Sequence, residues 1–495
     1  VVDQPITRAS VGLRSERGPV LLSVMLSAGL VAIDSTILAT AVPAIVDDLG
    51  GFSQFPWLFS IYLLAQAVAV PIYGKLADII GRKAIMLFGI GAFVLGSVLC
   101  GLAWSMPALI AFRAIQGLGA GAVQPMGMTI IGDIYTLAER AKVQGYLASV
   151  WAISAVVGPT LGGLFVDFLD WRWIFFVNVP LGAVAVWMLV RKFSENLTRT
   201  KHKIDYAGAV LLAVGGSLLI FGLLEGGVLW SWFSWQSLLV LGGAAVLLVS
   251  FALVERRAAE PILPGWIFTR RILNGANLVS LTVGVLLIGL TSYVPLFAQG
   301  VLKTSALVAG FALAAMTIGW PLAASNSGRL YLRIGFRNTG LIGSVLVLAA
   351  AVLLITLSPA SPIWVVAVTC FLVGLGLGLI ASPSLIAAQS TVGWQHRGVV
   401  TGANMFARSM GSAIGIAVFG AIANSKLAGH TSGPVGGHGG GASDVPPEVL
   451  APAIQQVFFG SAVIAVVLIA AVLIIPRRVE TVELGAPATP EPTDR

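Results

Sequence analysis

The sequence predicts an all-α membrane protein with fourteen transmembrane helices, and three observations lead there. First, 57% of the 495 residues are hydrophobic and 10% are charged, with a mean hydropathy of +0.94. Soluble domains carry about 25% charged residues. A core cannot absorb the excess, since even large domains bury only about three quarters of their chain surface. Second, the apolar residues fall in runs of about 20, the length that crosses roughly 30 Å of hydrocarbon. Third, the basic residues are split unevenly between alternate loops. A soluble enzyme, a secreted scaffold and a disordered chain are excluded.

The runs lie at 20–45, 55–77, 84–104, 107–132, 143–166, 173–190, 206–224, 236–254, 274–297, 305–325, 338–357, 362–387, 398–424 and 456–475. An even number places both termini on one side. Of the 29 Lys and Arg, twenty-four fall in the loops and tails of that side, Arg14, Arg82, Arg140, Arg257, Arg337 and Arg397 among them. Three fall opposite (Arg172, Lys303, Lys426), and Arg113 and Arg408 lie within spans. Basic loops mark the cytoplasmic side, so the net charge of +8 is a topology signal and nucleic acid is not an expected partner. The first run has signal-peptide features, with Arg14 and Arg17 before it and Ala39-Thr40-Ala41 near its end. Its full membrane length favours an uncleaved helix. Cys100 and Cys370 sit inside apolar runs and read as small buried hydrophobes.

An internal repeat divides the chain. Gly74-Lys-Leu-Ala-Asp-Ile-Ile-Gly-Arg-Lys83 is matched in type at six of ten positions by Gly328-Arg-Leu-Tyr-Leu-Arg-Ile-Gly-Phe-Arg337, eight spans later. Parallel halves with a substrate site between them are a known transporter plan. The expected organisation is a cytoplasmic tail (1–19), a six-helix half (20–191), a linker (192–205), an inserted helix pair (206–254), a second linker (255–273), a second six-helix half (274–475) and a cytoplasmic tail (476–495). The outer turn of the pair carries Trp230, Trp232 and Trp235, as an interfacial aromatic belt does.

Four motifs resemble the major facilitator superfamily and, within it, the fourteen-span drug:proton antiporters. Gly74 to Lys83 is similar to the superfamily's loop signature. Ile33-Asp34-Ser-Thr36-Ile-Leu-Ala-Thr-Ala41-Val-Pro43 is similar to the first-span signature of the antiporters. Arg113-Ala-Ile-Gln116-Gly117-Leu-Gly119 resembles the fourth-span motif, and Gly158-Pro159-Thr-Leu-Gly162-Gly163 the fifth-span motif of exporters. All four lie within 33–163, so the later half is supported by span count and repeat alone. The resemblance implies two six-helix halves of major facilitator type plus two inserted helices.

Each motif has a physical reading. Asp34 sits near mid-span, where a carboxylate faces a bundle interior or a wet cavity; it is read as a proton carrier, or more plainly as a hydrogen-bonded structural group. Arg113 lies closer to the outer end by ~9 Å, so an ion pair with Asp34 requires its side chain to bend inward. Gly74 allows close approach to a neighbouring helix, and Gly81 a positive φ. Asp78, Arg82 and Lys83 are expected to form a cytoplasmic gate with Asp133 and Arg140. Leu332 replaces Asp78 in the second copy, which assigns any such network to the first half. Gly158 and Pro159 interrupt the helical ladder, and Gly162 and Gly163 permit close packing. Polar candidates for substrate contact are Gln66, Gln116, Tyr293, Trp320, Asn404 and Arg408.

Gly374-Leu-Gly376-Leu-Gly378 lies inside a span and reads as a packing stripe rather than a dinucleotide loop. Nothing matches the ATP-binding Gly-x4-Gly-Lys-Ser/Thr pattern. His430 and His438 fall in a Gly-rich outer loop and give a weak metal signal. The chain thus reads as a non-enzyme of a bacterial-type cell (inner) membrane, without cofactor or metal, whose partners are small molecules, protons and lipid. The expected function is proton-coupled export of amphipathic or cationic compounds. The alternatives are an exporter of one endogenous metabolite or lipid, or a non-transporting sensor or scaffold.

Overall fold

In hydrocarbon, long apolar runs can satisfy their backbone groups only internally, as helices. The computed structural model describes residues 11–50, 57–195, 205–226, 230–258, 261–304, 306–427 and 446–479. Those residues are almost wholly helical, with one isolated β-bridge, Gly226 to Trp230. The long helices are α1 (Gly18–Leu49), α2 (Trp57–Ile80), α3 (Arg82–Gly101), α4 (Met106–Ile134), α5 (Leu137–Phe168), α6 (Asn178–Lys192, preceded by the turn Trp173–Phe176), α7 (Tyr206–Glu225) and α8 (Trp235–Glu255). They continue as α9 (Arg271–Leu296, extended by a π turn, Phe297–Val301), α10 (Ala306–Ile334), α11 (Phe336–Ile355), α12 (Ile363–Ser390), α13 (Arg397–Leu427) and α14 (Pro447–Ile474). Among the described residues thirteen helices are long and apolar enough to cross a membrane; α5 is a further long helix outside that set.

Local chemistry sets the ends. Ser105, Asp205 and Ser234 accept from backbone amides at the starts of α4, α7 and α8. Thr136 and Glu139 form a reciprocal capping box on α5, and Glu139 also binds Arg17 at 2.9 Å. This box moves the start of α5 ahead of the expected 143, so Arg140 and Lys142 are helical rather than loop residues. The two repeat loops turn alike: Gly81 has φ 102° and Gly335 φ 84°, a region open to glycine at little cost.

The packing repeats with a shift of eight helices. α1 packs on α4, α5 and α6 as α9 does on α12, α13 and α14. The α2–α4, α3–α4 and α3–α6 contacts recur as α10–α12, α11–α12 and α11–α14. Two seams join the sets, α2 with α13 and α5 with α10, and the same shift exchanges them. α7 and α8 pack on each other, and α7 also lies against α2 and α13. Each set has its own core, one around Phe93, Met126 and Tyr135 and the other around Phe297, Phe419 and Phe458.

Glycines allow the closest crossings. A Cβ on Gly74 would lie 2.6 Å from the Gly398 carbonyl oxygen of α13. One on Gly158 would overlap Thr36 of α1, so the exporter-like motif seats directly on the first-span motif. Gly163 departs from expectation: a Cβ there meets nothing within 4 Å, because its face looks away from α1. Helix α5 also stays helical through Gly158 and Pro159. Gly374 and Gly378 abut the α10 backbone and Gly376 that of α11, as a packing stripe should.

Candidate functional site

Asp34 lies about 24 Å along α1 from its first residue, 1% exposed. Its carboxylate accepts three hydrogen bonds. Oδ2 accepts from Arg113 Nη1 at 2.6 Å, and Oδ1 from Gln116 Nε2 at 2.7 Å and Asn178 Nδ2 at 3.3 Å. Arg113, also 1% exposed, does bend inward. It donates to Gln116 Oε1 at 2.6 Å and to the Leu58 carbonyl at 3.1 Å, and lies 4.2 Å over the Tyr62 ring. Ser97 Oγ accepts from Gln116 at 2.8 Å and from Asn178 at 3.2 Å. Helices α1, α2, α3, α4 and α6 thus meet at one neutral polar cluster inside an apolar bundle. Its chemistry is constrained. Every side-chain donor to Asp34 among the described residues is an N–H.

The second cluster lies at the end that carries the basic loops. Arg82 is fully buried. It donates to Asp78 Oδ1 at 2.7 Å, Asp133 Oδ2 at 3.1 Å and the Trp394 carbonyl at 2.5 Å, and sits 3.7 Å over the Trp394 ring. Asp78 accepts from the backbone amides of Gly398 at 3.1 Å and Val399 at 2.9 Å, where the positive end of the α13 dipole favours a carboxylate. Arg397, 3% exposed, donates to Asp133 Oδ1 at 3.1 Å and the Gly132 carbonyl at 2.7 Å. The network therefore belongs to both helix sets, which corrects its assignment to the first half alone. Leu332 is no obstacle, because the partners across the seam come from α13 and the turn before it.

Other expected residues sit apart. Lys83 binds the carbonyls of Phe193 at 2.5 Å and Val190 at 3.0 Å, tying α3 to the end of α6 rather than joining the cluster. Arg140 donates to the carbonyls of Gly132 and Tyr135 at its margin. Among the substrate candidates, Gln116 is consumed by the Asp34 cluster. Asn404 accepts from Ser280 Oγ at 2.7 Å and donates to the Ala276 carbonyl at 3.0 Å, fastening α13 to α9. Tyr293 is buried with its hydroxyl unbonded, Trp320 packs against the core of the second set, and Gln66 and Arg408 are half-buried. No hydrogen bond joins Gln66, Tyr293, Trp320, Asn404 and Arg408 to one another. His430 and His438 lie outside the described residues, as do the first ten residues and 480–495.

Sequence reasoning missed Tyr62, Ser97 and Asn178 in the first cluster and, in the second, Trp394, Arg397 and Glu195, whose carboxylate accepts from the Arg82 and Lys83 amides at 3.0 and 3.1 Å. Asn178 is the lone amide of its apolar run, a usable signal. Arg397 had none, since it reads as one more topology anchor.

The Major Facilitator Superfamily model matches residues 24–208 and again 200–416. Multidrug resistance protein 3 of Bacillus subtilis (strain 168) is 37% identical over 429 residues, which covers 86% of this chain and 84% of that protein. Multidrug transporter protein MdtP of the same strain is 36% identical over 416 residues, 84% of this chain and 77% of that protein. Efflux pump dotC of Dothistroma septosporum (strain NZE10 / CBS 128990) is 31% identical over 407 residues, 80% and 70%. The crystal structure of the human organic anion transporter MFSD10 (TETRAN) aligns with a TM-score of 0.65 at 16% identity, over 92% of this chain and 99% of that one. That likeness concerns the fold alone.

Proposed function

This chain belongs to the major facilitator superfamily and is a multi-pass membrane transporter, not an enzyme; from that premise we propose a proton-coupled multidrug efflux antiporter. It exports amphipathic or cationic compounds by alternating access between two six-helix halves, 20–191 and 274–475. The pair 206–254 completes fourteen spans of the antiporter subfamily. The packing that recurs after eight helices supports this division, and the names of the bacterial and fungal relatives support drug efflux. The basic loops support cytoplasmic termini in a bacterial cell membrane.

The observation that carries the proposal is the Asp34–Arg113 pair, a buried carboxylate at mid-depth held by a buried arginine. A proton moving down ~150 mV supplies ~3.4 kcal/mol, enough for a gradient of a few hundredfold in a neutral substrate. The seam at the basic end acts as the cytoplasmic gate: opening it breaks Asp78–Val399, Arg397–Asp133 and Arg82–Trp394 together. The test is substrate-stimulated proton movement in proteoliposomes across a compound panel, with Asp34→Asn in parallel. Coupled flux that depends on Asp34 is expected. Export by the wild type with no proton flux would sink the coupling, and no export of any compound would sink the transporter reading of drug efflux.

A further inference from the structure

Among the described residues the buried arginines are matched to acceptors, while half-buried Arg408 is not. Arg82 has Asp78 and Asp133, Arg113 has Asp34, Arg397 has Asp133, and Arg140 has two backbone carbonyls. Arg408 has neither an ion pair nor a side-chain hydrogen bond among the described residues, and its Nε is shielded from solvent. It lies about 17 Å along α13 from Arg397, well inside the span, where an ionisable group ordinarily has a partner.

The sequence explains why none is available nearby: residues 261 to 443 contain no Asp or Glu. That stretch covers α9 to α13 entire. Asp34, at comparable depth in α1, is committed to Arg113, and Asp78 and Asp133 are committed at the basic end.

Residue 408 also falls on a packed face of α13, and its Nε is buried. Positions 401, 408 and 412 share one face of α13 by helical spacing. Thr401 on that face accepts from Gln389 Nε2 of α12 at 2.8 Å, and Ser412 Oγ donates to the Gly284 carbonyl of α9 at 3.3 Å. A different face packs on α2 through Gly402 and on α2 and α7 through Ala413. Arg408 therefore lies on the face of α13 that meets α9, where its own backbone abuts Gly284.

We propose that Arg408 is a binding group for the anionic end of amphipathic substrates, carboxylates or sulfonates, so that the transporter takes organic anions as well as the compounds named above. The assignment rests on the drug-efflux reading for its physiological meaning, though not for its test. A planar guanidinium with free N–H groups forms short charge-assisted bonds with such oxyanions. A lipid headgroup offers the same chemistry, but its phosphate sits at the membrane surface, far from the mid-depth of α13.

The experiment compares equilibrium binding of dansyl acid, an amphipathic sulfonate, with dansylamide, its neutral counterpart. Wild type, Arg408→Gln and Arg408→Lys are held in nanodiscs of phosphatidylcholine. Expected is tighter binding of dansyl acid than of dansylamide by the wild type. Arg408→Gln should weaken dansyl acid roughly 10- to 100-fold, the usual loss for a charged hydrogen bond, while leaving dansylamide within about twofold, and Arg408→Lys should keep most of the preference. Equal dansyl acid affinity in wild type and Arg408→Gln would overturn the proposal. So would parallel loss of both probes in both variants, which marks a structural role. Should Arg408→Gln not fold, the wild type alone decides, since no preference for the sulfonate is equally fatal. Phosphatidylglycerol that abolishes the preference would reassign the site to lipid and overturn it too. No gradient is applied, so a failure of proton coupling leaves this result intact.

Discussion

Replacing Asp34 with Asn keeps the shape of the side chain and removes its charge. Viewed as a lone carboxylate at mid-span, Asp34 costs ~2.5–3.5 kcal/mol on insertion scales, and neutralising it should help. The pairing with Arg113 reverses that sign. Arg113 is 1% exposed and would be left as a buried cation without a counter-charge, and removing one partner of a buried pair costs ~3–5 kcal/mol. Gln116 Oε1, the Leu58 carbonyl and the Tyr62 ring remain in place, and the Asn oxygen can still accept. The expected cost is therefore at the lower end, ~3 kcal/mol, or roughly 150-fold in the unfolding equilibrium. Asp34→Asn with Arg113→Gln should cost less than the two single changes added together, by ~2–3 kcal/mol. Reversible unfolding of the purified proteins in mixed micelles reads these values, and proteoliposomes read transport. Asp34→Asn is expected to insert and fold yet lose proton-driven export. A variant as stable as the wild type, or strictly additive costs in the double variant, would refute the ion-pair argument. Full gradient-driven export would refute the proton role.

Three further outcomes are expected. Gly74→Ala sets a methyl 2.6 Å from the Gly398 carbonyl, with Gly398 and Gly402 backbone behind it; α2 and α13 must part, at ~1–3 kcal/mol, so cysteines placed at the basic end should label faster than in the wild type. Asp78→Asn turns an amide N–H towards the Val399 N–H and loses the Arg82 charge partner; slower turnover at nearly unchanged expression is expected, and normal turnover would make Asp78 purely structural. Deleting 433–443, a Gly-rich stretch of polar composition outside the described residues, should leave export intact, because ordering such a loop into a lid costs ~1–2 kcal/mol per residue; loss of export in a correctly inserted deletion would give the loop a role.

How far the sequence reaches can be traced through particular residues. Hydrophobic run length locates the helices, and Gly81 and Gly335 locate the two matching turns, because both signals are local. Asp34 and Arg113 stand out because charge is rare in a span. Their mutual contact was harder to see, since α1 and α4 are apolar on most faces and periodicity does not say which face meets which neighbour. Ser97 and Asn178 were missed for the same reason: a single hydroxyl or amide in an apolar run carries no direction. Arg397 was hidden differently. Its residue type satisfies the positive-inside rule wherever it falls in a basic loop, so the rule absorbed a residue that crosses the seam to Asp133. Gly163 shows the reverse error, a motif glycine expected to pack that faces open space.

The seam between α2 and α13 imposes an order of events in synthesis. α2 ends at Ile80 and α13 begins at Arg397, so its partner emerges about 320 residues later, roughly 16–60 s at ~5–20 residues per second. α5 waits less long for α10, about 140 residues. In that interval the Gly74 face of α2 has no α13 to meet, while α3, α4 and then α7, which all pack against α2 in the finished protein, are made before it. Arg82 is spared a bare charge throughout, because Asp78 and Asp133 are made with it or soon after. When Arg397 emerges, the carboxylate it needs is already in position.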